Sequence, residues 1–86
     1  MSHAASVTLF NLETAENLLK KIHLADSSSY YVSPLETSGQ QIQAKIEEIQ
    51  AGTYLCSSYR LIVTSDTLDQ VILEELIRPP IGGLNR

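Results

Sequence analysis

Apolar positions along the chain fall into two kinds of run that take turns. Short β-type stretches occupy residues 6–10, 30–33 and 54–63, and each leads into a helix-type stretch, at residues 12–25, 40–51 and 67–77. In the first helical stretch Leu12, Ala15, Leu19 and Ile22 recur at helical spacing, with Leu18 and Ala25 widening the stripe. Asn11 stands where an N-cap is needed, Glu13 and Glu16 lie in the early turns, and Lys20, Lys21 and His23 lie late. That order of charges suits a helix dipole. In the second, Thr37 and Ser38 each precede a glutamine by three residues, the pattern of a capping box. Ile42, Ile46 and Ile49 then form a stripe, and Gly52 stands at its end. In the third, Thr64-Ser65-Asp66 serves as the cap and Pro79-Pro80 as the stop.

Three alternations of this kind predict an α/β domain of βαβαβα order, in two or three layers, around a mostly parallel three-stranded sheet. The strand order stays open, as does whether residues 54–63 form one strand or a hairpin broken at Ser57-Ser58. A ferredoxin-like α+β arrangement is the second expectation, and it requires residues 40–51 to be something other than a helix. Residues 1–80 read as a single domain and 81–86 as a flexible tail.

Size and composition narrow the function classes. A chain of 86 residues has a limited core, and second copies or partners are a common way for small domains to gain burial. The net charge is −4, with Lys20-Lys21 the only adjacent cations, so neither nucleic acid nor an anionic membrane finds a basic patch. One cysteine, Cys56, forms no internal disulfide, and the first residues lack the charged and apolar regions of a signal peptide. A cytoplasmic protein is the expectation.

Catalytic groupings are scarce. Cys56 has no base at a meaningful spacing from it, since His3 and His23 lie far off in sequence; it reads as a small buried hydrophobe. His23 and Asp26, one turn apart, are too few for a metal site, and no cofactor motif occurs. The strand-to-helix turns of a parallel sheet gather helix N-termini, so Asn11, Thr37, Ser38, Gly39 and Ser65 are the candidate residues for a small ligand or anion. Ordinary helix capping is the leading explanation of the same residues, and ligand binding the alternative.

Two features point to protein contacts. Tyrosines cluster in the second and third strands, Tyr30 and Tyr31 foremost, and tyrosine is enriched at interfaces. Apolar residues of the last helix spread beyond one stripe, so that Leu73 and Ile77 are expected to face away from the sheet. The leading expectation is therefore an interaction or regulatory module that self-associates or binds a protein through Tyr30, Tyr31, Leu73 and Ile77. A small-ligand sensor is the alternative.

Overall fold

The computed structural model describes residues 2–49 and 58–78, in which strands and helices follow the order βαββββα. The strands are β1 (His3–Leu9), β2 (Tyr30–Ser33), β3 (Glu36–Ser38), β4 (Gln43–Ile49) and β5 (Ser58–Ser65), and the helices are α1 (Leu12–Ala25) and α2 (Gln70–Leu76). They form one five-stranded sheet in the order β1-β5-β4-β3-β2, and every neighbouring pair is antiparallel. The expected parallel α/β sheet is thus corrected to an antiparallel α+β domain. This lies nearer the second expectation in class, although its element order is not βαββαβ.

The correction turns on residues 40–51, expected as a helix, because Gln43–Ile49 is a strand. Ile42, Ala44 and Ile46 are buried while Gln43, Lys45 and Glu47 are exposed, a period of two. Ile42 and Ile46 fit a helical stripe just as well; Ala44 is the position that separates the two readings. The backbone N–H groups expected to start a helix there are held from afar. Gln40 N donates to Ser28 Oγ at 3.0 Å, and Gln41 N and Ile42 N donate to Asp26 Oδ2, each at 3.0 Å.

Both helices lie on one face of the sheet. Ala15, Leu18, Leu19 and Ile22 of α1 and Leu73 and Ile77 at α2 join Ala5, Leu9, Ala44, Ile46, Leu61 and Val63 in one core cluster. Asn11 caps α1 as expected, accepting from Thr14 N at 3.2 Å, but Leu12 and Ala25 lie outside the buried stripe. The start of α2 moves to Asp69, whose carboxylate accepts from Ile72 N at 3.0 Å. Ser65 instead ends β5 and bends the chain, its hydroxyl accepting from Thr67 N and Leu68 N at 3.1 and 2.9 Å.

Leu73 is fully buried and Ile77 is 4% exposed, so both point into the core. This corrects the expectation that they face outward as an interface. The water-facing apolar residues of α2 are Val71 and Ile72. Among the described residues no helix is long and apolar enough to cross a membrane. The expectations for Gly52, Tyr54, Cys56 and Ser57, for the Pro79-Pro80 stop and for the 81–86 tail lie outside the described residues.

Candidate functional site

The two edges of the sheet are β1 and β2, and they differ in how they are treated. An edge strand presents unpaired backbone groups that template further pairing, and folded proteins usually blunt or cover it. Along β1, α2 packs beside the strand and the Gln70 carboxamide donates to the Ala4 carbonyl at 2.7 Å. The β2 edge has no such cover among the described residues. All four of its residues are exposed, with Tyr30, Tyr31 and Val32 at 62%, 48% and 53%. The strand carries no charge, so one common safeguard against edge pairing is missing.

What holds β2 in place is polar and lies at the C-terminal end of α1. Asp26 is buried, 2% exposed, yet its carboxylate is fully engaged. Oδ1 accepts from the Ser28 hydroxyl at 2.6 Å and from Ser28 N at 3.1 Å, while Oδ2 takes the N–H groups of Gln41 and Ile42. The Ser28 hydroxyl bond, joined by the three backbone N–H groups, holds the Asp26 pKa at about 2, below its ordinary 3.8, against the opposing effect of burial. This clasp ties the loop after α1 to the loop before β4.

A second bracket centres on His23. Its ring stacks on Tyr31 with centroids 4.1 Å apart and planes 25° from parallel. Thr37 Oγ1 donates to the Tyr30 carbonyl at 3.0 Å, and Ser29 Oγ donates to the His23 carbonyl at 2.9 Å. His23 Nδ1 lies 2.7 Å from Ser29 Oγ and 3.2 Å from Thr37 Oγ1, within hydrogen-bond reach of both hydroxyls. Helix, loop, β3 and β2 are thereby joined through one imidazole. The Asp26-Ser27-Ser28-Ser29 run after a helix was the only sequence signal for this arrangement, and it reads locally as a plain loop.

Gly39 sits against the clasp. A Cβ there would lie 2.8 Å from Asp26 Cγ and 2.9 Å from Ser29 Cβ, closer than real Cβ atoms approach, and closer still to Asp26 Oδ2. Gly39→Ala is expected to cost about 2 kcal/mol, the usual scale of forced overpacking. Urea denaturation reads this as a lowered midpoint; an unchanged midpoint would mean that the carboxylate does not occupy this position.

The expected ligand residues are not brought together as one site. Asn11 follows β1 at one end of the sheet, whereas Ser38 and Ser65 lie in the rows where β3 meets Gln43 and β5 meets His3, at the other end. Gly39 and Ser65 share a cavity of about 280 Å³ there. Thr37 is buried, and its hydroxyl is committed to the Tyr30 carbonyl and His23. Since no described pair of strands is parallel, the edge that a parallel sheet would offer an anion is not formed. His23 and Asp26 turn to different partners, and among the described residues no three His, Cys, Asp or Glu side chains form a metal-binding group.

The face of the sheet opposite the helices holds a shallow cavity of about 340 Å³. Tyr30 and Val32 line it from β2, and Ser38, Lys45, Ile62 and Thr64 from the other strands. Thus Tyr30 and Val32 share the open face, while Tyr31 points to the helix side against His23. Comparison with protein-family models, curated proteins and solved structures gives no match to this chain.

Proposed function

We propose that this chain is a protein-interaction module that accepts an extended strand of a partner along β2. The observation that supports this most is the unequal treatment of its edges. One has a helix packed beside it; the other is uncharged, aromatic and exposed. In strand addition the backbone hydrogen bonds supply affinity, and alternate side chains supply selectivity. Here Tyr30 and Val32 would meet partner side chains over the open face, and Tyr31 would meet them on the helix side. The His23 bracket serves this role by holding the strand in an extended form before a partner arrives, which lowers the ordering cost of binding. The exposed pair Val71 and Ile72 on α2 is a weaker candidate, because a helix has already satisfied its own backbone groups.

A displayed library of random peptides, selected on the purified chain, tests this. Selected peptides are expected to alternate apolar residues, to bind the parent chain and the Val71→Lys variant alike, and to lose binding to Val32→Lys. Peptides that ignore Val32→Lys, or a selection that yields no binder, overturn the reading.

A further inference from the structure

Resting on the reading of β2 as an acceptor edge, we infer that the strand it accepts is a basic segment of another protein. A lysine or arginine of that segment crosses Tyr30 and Val32 on the open face to reach Glu36. Thr37 is buried against His23 on the helix side, so its neighbours Glu36 and Ser38 turn to the open face. Both line the open-face cavity together with Tyr30 and Val32, and Glu36 is half-buried there.

Glu36 and Lys45 are the charged residues that line this cavity, and they stand directly opposite one another on β3 and β4. Their charged groups are nevertheless not paired. The Lys45 ammonium turns to Glu47, 3.3 Å from its Oε2, and among the described residues Glu36 makes no ion pair. The next cation, Arg60, is opposed to Glu47 from β5 and lies farther from the edge. Close to β2, the open face therefore offers a carboxylate without a counter-charge.

Distance selects the side chain that reaches it. Neighbouring strands lie about 4.8 Å apart, so a strand added to β2 stands about 9.6 Å from β3. The β2 residue opposed to Glu36 is Ser33, whose side chain is too short to cover the way between. A lysine or arginine spans that gap with its apolar stem on Tyr30 and Val32 and its charge at Glu36. Shorter polar side chains stop over β2. The long-range field acts in the same sense, since a chain of net charge −4 draws basic segments toward it and repels acidic ones.

Peptides selected on the parent chain test this. They are expected to carry lysine or arginine at one fixed place in their apolar alternation. Glu36→Gln is expected to weaken each of them about tenfold, the scale of one charge-assisted contact. That difference is expected to shrink as salt rises from about 50 to about 500 mM. Replacing the basic residue of the peptide by glutamine leaves the fold untouched. It is expected to weaken binding to the parent chain by the same factor, and binding to Glu36→Gln hardly at all. Peptides that bind in a Val32-dependent way without a basic residue, or that ignore Glu36→Gln, overturn the inference and leave strand acceptance standing. A selection that yields no binder removes both. A parent chain that forms Val32-dependent dimers in sedimentation gives the edge to a second copy and overturns the basic segment.

Discussion

Asp26→Asn is expected to lower the stability of the domain by about 3 kcal/mol, although it changes neither the size nor the shape of the side chain. Hydrogen bonds to a charged group contribute about 1.5–3 kcal/mol each when broken with a partner left buried, and Asp26 accepts four. Asparagine keeps one accepting oxygen. Its amide group must then face either the two donors of Ser28 or the N–H groups of Gln41 and Ile42, donor against donor. Two backbone N–H groups lose their acceptor in the second case, and Ile42 is itself buried. Equilibrium urea denaturation at neutral pH measures the change. A loss of less than about 1 kcal/mol, the ordinary scale of a single neutral hydrogen bond, would falsify the clasp as a structural element.

The same carboxylate sets an acid limit, and its sign follows from the direction of the shift. The folded-state pKa, about 2, lies below the ordinary 3.8. The folded protein therefore binds the Asp26 proton less readily than the unfolded chain does. Its contribution is fully present above the unfolded value and is lost as pH falls through the interval between the two. Parent stability measured from pH 5 down to pH 2 is expected to decline more steeply than that of Asp26→Asn, with the two curves converging at the acid end. Parallel curves would assign the acid sensitivity to other carboxylates.

Local signals in the sequence were enough for the parts of this fold whose partners are close in the chain. Asn11, Glu13 and the Ala15-to-Ile22 stripe mark α1, and its limits coincide with those the pattern predicts. Tyr30–Ser33 is bounded by a serine run and by Pro34, and was legible for the same reason. The sheet was misjudged where the deciding partner is remote. Gln41 N and Ile42 N are held by Asp26, fifteen and sixteen residues earlier, which removes the incentive to begin a helix that the Thr37 and Ser38 patterns suggest. Once β4 is a strand, four strands follow α1 in the order β2-β3-β4-β5, and the connections at residues 34–35 and 39–42 are too short for a parallel crossover. Tyr30 and Tyr31, expected at an interface, are exposed. The bracket of His23, Ser29 and Thr37 was not legible, because its members are contributed by a helix, a loop and a strand.

Leu73→Ala is expected to cost about 3 kcal/mol, within the range for deleting most of a fully buried leucine side chain. The effect separates two pictures of α2. Had Leu73 faced outward, its loss would change association and leave stability nearly untouched; Val71→Ala, at a residue 68% exposed, is the control that should do so, within about 0.5 kcal/mol. The consequence reaches further than one cavity. A helix of seven residues does not persist alone in water, so α2 exists because Leu73 and Ile77 seat it on the core. Weakening that seat frees Gln70 from the Ala4 carbonyl and leaves the β1 edge as open as β2. A chain with one open edge pairs at most once, whereas a chain with two can extend indefinitely. Leu73→Ala held in mild denaturant is therefore expected to scatter light as particles larger than dimers, and Leu73→Ala combined with Val32→Lys to scatter less. Equal scattering from the two would mean that the aggregates grow through exposed core instead of paired edges.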